Sequence, residues 1–334
     1  MATLDLKRSL LSPQPIHLRL PQLAAAPLCA VQHIRKLRGS TQAHLMRGSD
    51  GHLHVVKFQN NPTHPRLLAT EFLATRLGLW LGLPMPQVAV IEVSSWLVAH
   101  SPALLIELGE SRIPCSSGLQ LASRYVVDPA CHQVFDHLPK AMFKRVQNKP
   151  DLIRALVFDK WVGNCDSRQV LFTKRTGQSE FHATFIDQGC CFDANQWAFP
   201  DLPLMGVYEH DHVYRNVTGW NSFEPLLSCI EGIEYKDLWR FASEVPQEWY
   251  QYDAQGLFRL VSTLYKRRSI IRNLITALHR FASNLFPKWT SKRTKASATY
   301  RSSQNSEKCV ASESCQRFKA TAGNPARRPV LRQR

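Results

Sequence analysis

The chain has 334 residues, of which 44% are hydrophobic and 20% charged, and its formal net charge is +16. This length and apolar fraction suit one large domain or two lobes around a shared cleft. No apolar run approaches the length that a bilayer requires, so we expect no membrane span. The charge is uneven, because residues 286–334 hold twelve Lys and Arg against two acids, a net +10 that leaves +6 for the rest.

The nine cysteines are scattered without any CxxC pair. This irregular, odd-numbered set argues against a disulfide framework and against a structural zinc site. It suits a reducing compartment, and we expect a cytoplasmic protein. Residues 1–34 are predicted to form an extended lead-in, in which Pro13 and Pro15 interrupt the apolar stretch that a signal peptide would need.

A hairpin pattern starts near residue 41, where AHLMR and HLHVVKF flank the turn GSDG. Asp50-Gly51 is a strong turn dipeptide between two strand-like runs. Apolar residues at helical spacing then predict a helix over 66–81. A buried strand is predicted over 87–93, and at least one more strand over 95–108.

The pattern changes from strand-rich to helix-rich at Gly118–Val127. Beyond it we predict helices over 136–148 and 150–164, short strands over 168–172 and 181–186, an irregular aromatic segment over 190–220, and further helices to about 285. This order gives an α+β fold with a small strand-rich N-lobe (about 35–120) and a helical C-lobe (about 121–285). Residues 286–334, rich in Ser, Thr, Lys and Arg, are predicted to be a basic disordered tail.

The turn formed by Gly48, Ser49, Asp50 and Gly51 has a possible chemical use, since glycines let backbone N–H groups approach a polyanion. Lys57 ends the alternating strand that follows and is placed to reach phosphates, with Glu71 on the next helix to fix its ammonium. The local alternatives are an ordinary Asp-Gly hairpin and two solvated surface charges, and taken one at a time these alternatives are favoured.

Two carboxylates follow in the second half of the chain. Asp166 comes after a helix and two residues after Asn164, where a carboxylate can orient a hydroxyl during phosphoryl transfer. Asp187 ends a strand, a suitable place for a Mg²⁺ ligand. Taken one at a time, the local alternatives are favoured: an Asx turn for Asp166 and a turn Asp before Gly for Asp187. The order of glycine hairpin, lysine, helical glutamate, loop aspartate and strand-end aspartate is that of a kinase-like fold.

These residues resemble the HipA-like kinases, whose fold is related to that of the phosphatidylinositol kinases. The resemblance covers roughly 40–285 and is most specific in LVFDKWVGNCDSRQVLF and FIDQGCCF. It implies a serine/threonine kinase that uses ATP and Mg²⁺, with Asp166 and Asn164 as catalytic residues, Asp187 as metal ligand, and Lys57 and Glu71 at the nucleotide phosphates. The adenine-contacting hinge would lie near Ser123–Val127. It also implies a bacterial protein acting on a protein hydroxyl, with an antitoxin-like partner in some members.

The chain departs from the family in two respects. The usual catalytic loop has a metal-binding Asn five residues after the base, where this sequence has Leu171, and Gln169 is the nearest amide that could replace it. The first forty residues are also too short for the extra N-terminal subdomain of typical HipA toxins, which puts antitoxin docking through it in doubt.

Three readings therefore stay open: an active kinase, a nucleotide-binding pseudokinase, and a basic protein that contacts nucleic acid weakly through its tail. The tail lacks the interleaved aromatic residues that stack on bases, which favours a plain solubilising role.

Overall fold

The computed structural model describes residues 27–289. Most of the predicted lead-in (1–34) and nearly all of the predicted basic tail (286–334) lie outside this range. The described end of the lead-in does not stay outside the fold, because strand β1 occupies Ala30–Lys36.

Five antiparallel strands form the main sheet of the N-lobe, in the order β1-β2-β3-β7-β4. A separate pair of strands, β5 and β6, packs beside it. The predicted hairpin is confirmed as β2 and β3, and the predicted strand over 87–93 as β4. The strands are β1 Ala30–Lys36, β2 His44–Gly48, β3 Leu53–Lys57, β4 Val88–Val93, β5 Leu105–Leu108, β6 Ser111–Pro114 and β7 Gly118–Arg124.

The predicted helix over 66–81 is α1, Leu67–Trp80. The helix carries apolar side chains on nearly all of its faces, and such a helix belongs in a core rather than on a surface. Its buried side chains join the large core that also contains the C-lobe helices. A second, smaller core lies under the N-lobe sheet, around Met46, Phe58 and Ile91. The helix therefore carries Glu71 into the interior between the sheet and the C-lobe.

The C-lobe combines helices with a three-stranded sheet of order β10-β9-β8. The helix predicted over 150–164 and both predicted short strands are confirmed. The helix predicted over 136–148 is wrong, because only a short 3₁₀ stretch over Lys140–Arg145 forms there. Pro139 lies directly before this stretch, and a proline disfavours helical backbone at the residue before it, here Leu138, so a helix cannot run continuously from 136. The C-lobe strands and the remaining helices are β8 His132–Phe135, β9 Gln169–Arg175, β10 His182–Ile186, α2 Ser95–Ala99 (in the N-lobe), α3 Lys149–Val162, α4 Leu226–Glu231, α5 Tyr235–Ala242, α6 Ala254–Arg267 and α7 Ile271–Phe281.

The segment over 190–220 is irregular, as predicted, and contains only short 3₁₀ stretches. No helix among residues 27–289 has the length and apolar character needed to cross a membrane.

Candidate active site

A buried ion cluster joins the two lobes. Lys57, the last residue of β3, donates from Nζ to Glu71 Oε2 of α1 at 2.5 Å and to Asp187 Oδ1 at 3.0 Å. Lys57 is 7% exposed and Glu71 4%. The sequence-predicted lysine, helical glutamate and strand-end aspartate are therefore in direct contact, although 130 residues separate the first from the last.

The charges in this cluster stabilise one another. Burial alone opposes the charge on Lys57, but Asp187 and Glu71 outweigh it and raise the pKa of the lysine. Burial raises the pKa of Glu71, and Lys57 only partly offsets this effect. At Asp187 the lysine overcomes burial, and the pKa of that carboxyl lies below its usual value. Lys57 and Asp187 are thus held as an ammonium and a carboxylate at neutral pH.

Asp187 follows β10 and has a positive φ of 57°. This left-handed conformation turns the chain sharply, and the backbone N–H of Gly189 then donates to the Asp187 carboxylate. A Cβ on Gly189 would collide with Leu67 Cδ1 and lie 3.6 Å from Glu71 Oε2. The glycine in the predicted D-Q-G stretch therefore lets the turn approach α1 closely.

The loop that carries Asp166 is fixed by its own polar atoms. Gly163 ends α3 with φ 58°, and the buried Asn164 donates from Nδ2 to Asp159 Oδ1 at 3.1 Å. Asn164 Oδ1 in turn accepts the backbone N–H of Asp166 at 3.2 Å. This bond, in which Asn164 Oδ1 accepts the N–H two residues on, is an Asx turn at Asn164. Asp166 Oδ1 accepts the N–H of the next residue, Ser167, at 2.8 Å, and the Asp166 side chain stays half-buried. The loop therefore contains the Asx turn that its local sequence favours, and it also leaves the Asp166 carboxylate partly exposed, as orienting a hydroxyl would require.

A buried network that sequence reasoning missed connects this loop to the Asp187 turn. Arg168 bonds Asp159 through both Nε and Nη2, and it donates from Nη1 to Gln188 Oε1 at 2.6 Å. The side chains of Arg168 and Asp159 are 1% and 0% exposed. Since Gln188 directly follows Asp187, the arginine holds the loop of Asp166 and the turn of Asp187 in one arrangement. An aspartate within the apolar run of α3 was the signal that could have revealed it.

Two further buried cations, also missed, hold the segment after Asp187. Arg267 of α6 bonds Asp201 with both terminal nitrogens and lies 4.4 Å from the Phe199 ring centroid. Lys160 Nζ donates to the carbonyls of Pro203 and Met205. This anchoring places the Gly206 N–H 3.1 Å from the Asp166 carbonyl oxygen. The segment is thereby seated beside the candidate base.

The GSDG turn does not occupy the phosphate-binding position expected of it. It joins β2 to β3 at the end of β3 opposite Lys57, about 13 Å away along the strand. Its Gly48, Ser49 and Gly51 N–H groups all bond other backbone carbonyls, and the Asp50 carboxylate bonds His52 and His54. The expectation that these four residues present open donors to a nucleotide is therefore wrong. The error arose because β1 was not recognised.

With β1 in place, the loop between β1 and β2 lies at the same end of the sheet as Lys57. The register pairs Lys36 with His44 and His44 with Val56, the neighbour of Lys57. This loop, residues 37–43, contains Gly39 with φ 135°. It lines an open cavity of about 490 Å³ together with Lys36 and Glu107.

Gln169 and Leu171 lie on the same face of β9. Gln169 begins the strand with an exposed side chain and pairs with Ile186, the residue before Asp187, whereas Leu171 pairs with Thr184. At the other side of the site, β7 ends at Arg124, so Ser123–Val127 connect the N-lobe sheet to the C-lobe, where a hinge was predicted.

Comparison with known proteins identifies the family. The model of the HipA-like kinase family matches residues 31–290, which is well over half of the chain. The protein therefore belongs to the HipA-like kinase family, as the motifs predicted, and its activity is that of a kinase-type phosphotransferase. No curated protein matches the chain.

Several solved structures are similar to this chain. The Helicobacter pylori proinflammatory kinase CtkA is 14% identical with a TM-score of 0.48, over 75% of this chain and 94% of its own. The Golgi casein kinase is 12% identical with a TM-score of 0.47, over 77% and 75%. Hydra Fam20, solved with sugar, is 12% identical with a TM-score of 0.47, over 75% and 86%. At these scores they add nothing to the assignment, which depends on the family match.

Proposed function

We propose that this member of the HipA-like kinase family transfers the γ-phosphate of Mg-ATP to a serine or threonine hydroxyl of a protein. The observation that carries the proposal is the bonding of Lys57 to both Glu71 and Asp187, with Arg168 linking the Asp187 turn to the loop of Asp166. Phosphoryl transfer depends on positioning and on electrostatic stabilisation, and this arrangement supplies both.

Lys57 would hold the nucleotide phosphates, while Glu71 fixes its ammonium. Both are buried, so the field of the lysine is weakly screened along the cleft. We place the remaining phosphate contacts in the loop over 37–43 rather than in GSDG. A glycine with positive φ there allows backbone N–H groups to turn toward an anion.

Asp187 fits a Mg²⁺ ligand. Its carboxylate is ionised, remains 28% exposed, and is bonded by Lys57 and by the Gly189 N–H. Magnesium needs only one or two carboxylates besides phosphate oxygens and water. Gln169, opposite the residue before Asp187, is the amide proposed as a second ligand. When bound, the metal would neutralise charge on the transferred phosphoryl group.

Asp166 would orient the acceptor hydroxyl and receive its proton. Its backbone is held on both sides, by Asn164 and by Gly206, while its carboxylate stays partly open. Asn164 is then a positioning residue rather than one that touches the substrate, because it is buried and both its Nδ2 and its Oδ1 are already hydrogen-bonded within the protein. The protein nature of the acceptor follows from the family alone.

The experiment is transfer from labelled Mg-ATP with the full chain and with cell extract as the source of acceptor. Asp166→Ala should lower incorporation by about 100- to 10,000-fold and leave nucleotide binding intact. The matched control is Asp237→Ala, on α5 outside this site, which should not change incorporation. Equal labelling by wild type and Asp166→Ala would refute the assignment of the base.

A nucleotide-binding pseudokinase is the second candidate, and Leu171 at the position of the family's metal-binding Asn favours it. It predicts that Mg-ATP raises the melting temperature while wild type transfers no phosphate. An antitoxin-like partner and contact of the basic tail with nucleic acid remain predictions. Deleting residues 291–334 tests the second, since affinity that is unchanged, or independent of salt, would refute it.

A further inference from the structure

Three metal-ligating side chains converge outside the candidate active site. His137 comes from the segment after β8, and Glu209 and His210 from the segment after Gly206. One ligand atom of each residue lies within 4.8 Å of the other two. We propose that these three side chains bind a divalent transition metal of the zinc class, with a fourth position open to water or to a ligand.

The donor set decides the class of metal. Two imidazoles and one carboxylate suit Zn²⁺ and its neighbours in the first transition row, whereas Mg²⁺ and Ca²⁺ prefer oxygen alone. Zinc bonds of about 2.0–2.2 Å place tetrahedral ligand atoms about 3.3–3.5 Å apart. Glu209 Oε1 and His210 Nε2 are already 3.5 Å apart, and the Glu209 side chain, 65% exposed, has room to rotate toward a metal.

His210 is the built part of this site. Among the described residues its Nε2 atom is buried and makes no hydrogen bond, and Glu209 Oε1 lies 3.5 Å from it. A buried ring nitrogen without such a partner is costly unless something binds it. The ring is packed at 5.3 Å from the Tyr208 ring and 5.5 Å from that of Phe143, in edge contacts, which fix its direction.

His137 completes the cluster from a different part of the chain. Its ring centroid is 5.3 Å from that of His210, at an interplanar angle of 62°. The backbone N–H of Tyr208 donates to the Tyr214 hydroxyl at 2.9 Å, which closes the loop that presents Glu209 and His210. The ligands thus come from two separate segments of the chain that meet on packed aromatic rings. Such ligands hold a metal in a more defined geometry than neighbouring residues of a single loop would.

A metal at this site would lie on the segment that packs beside Asp166, the proposed base. Met205 and Gly206 lie shortly before Glu209, where Lys160 and the Asp166 carbonyl hold the backbone. The metal would tie this segment to the one that contains His137. It shares no residue with the cluster of Lys57 and Asp187. Metal binding can therefore be tested, and can fail, independently of the proposed kinase reaction.

The test is equilibrium binding of Zn²⁺ to chelator-treated full-length protein, with Co²⁺ as the spectroscopic probe. Wild type should bind one more equivalent than His137→Ala and His210→Ala. Loss of an outer-shell partner alone costs about 10–100-fold in metal affinity, so loss of a ligand should weaken that equivalent by at least about 100-fold. His100→Ala, an exposed histidine of the N-lobe, is the matched control and should bind as wild type does.

Comparing variants is necessary because thirteen histidines and nine cysteines can bind Zn²⁺ elsewhere. The Co²⁺ spectrum that is lost in the variants should lack thiolate charge-transfer bands, since no cysteine belongs to the cluster. Zn²⁺ should also raise the melting temperature of wild type more than that of Glu209→Gln. Equal stoichiometry and equal thermal shifts in wild type and all three cluster variants would overturn the proposal, whatever the result of the kinase assay.

Discussion

The buried pair of Arg168 and Asp159 makes a strong prediction about stability. Among residues 27–289, Arg168→Met leaves the Asp159 carboxylate with the Asn164 amide as its one hydrogen-bond donor, in a site where both side chains of the pair are at most 1% exposed. Removing one partner of a buried ion pair costs about 3–5 kcal/mol, because the remaining charge is uncompensated. For a domain of this size we expect the melting temperature to fall by about 2–4 °C per kcal/mol.

The assay is urea unfolding of wild type, Arg168→Met, Asp159→Asn and the double variant. Removing both charges should cost less than the sum of the single changes, with a coupling of about 1–3 kcal/mol. Lys236→Met breaks an ion pair whose side chains are 76% and 61% exposed, and should leave the unfolding midpoint unchanged. Additive single effects, or losses no larger than that of Lys236→Met, would refute the reasoning.

Three further predictions concern the buried groups of the site. Burial lowers the pKa of Lys160 from 10.5 to about 8, so between these values the unfolded chain holds a proton that the folded chain has released. Wild-type unfolding free energy should therefore rise with pH above about 8, relative to Lys160→Met, by up to about 1.4 kcal/mol per unit, and a flat difference would contradict this. Gly189→Ala should lower phosphate transfer, since its Cβ collides with Leu67 beside the ion cluster; full activity would show that the turn has room. Glu71→Gln should reduce kcat/KM for ATP by about 100-fold with the fold intact, measured by transfer and circular dichroism, and unchanged kinetics would show that Lys57 needs no carboxylate partner on α1.

The parts of the fold that depend on local sequence were predictable. The β2–β3 hairpin has an Asp-Gly turn between alternating strands, and α1 has apolar residues at helical spacing, so both were found with nearly correct ends. The strand β1 was missed because most of its side chains are at least partly exposed, which leaves little alternation to detect. Because β1 was missed, the loop over 37–43, which we propose for the phosphate contacts, was not considered.

The chemistry of the site was predictable only in part. Lys57 and Asp187 were named because each stands at the end of a predicted strand, and Glu71 because it lies on the predicted helix between them. The pairing of Arg168 with Asp159 and Gln188 was not predicted, although Asp159 stands within the apolar run of α3. Such a pairing depends on how α3 and the Asp187 turn pack together, and that packing is a property of the tertiary structure.

The register of β9 and β10 bears directly on whether the enzyme is impaired. Leu171 pairs with Thr184, which places it about 10 Å along the strand from Asp187. β9 begins only three residues after Asp166, so Leu171, five residues after Asp166, is already two residues along the strand. A metal ligand at that position would therefore be too distant to share a metal ion with Asp187. Gln169 pairs with Ile186, the residue before Asp187, so it lies at the end of the strand where a side chain could bind the same metal ion as Asp187.

We therefore expect Gln169→Leu to raise the Mg²⁺ concentration needed for half-maximal transfer by about 10-fold or more, as expected when one ligand of few is lost. Leu171→Asn should not improve transfer, although it restores the family's residue. Magnesium titrations of labelled transfer in the two variants and wild type would decide this. If Leu171→Asn creates activity that wild type lacks, the register argument fails and the protein is a pseudokinase because of that leucine.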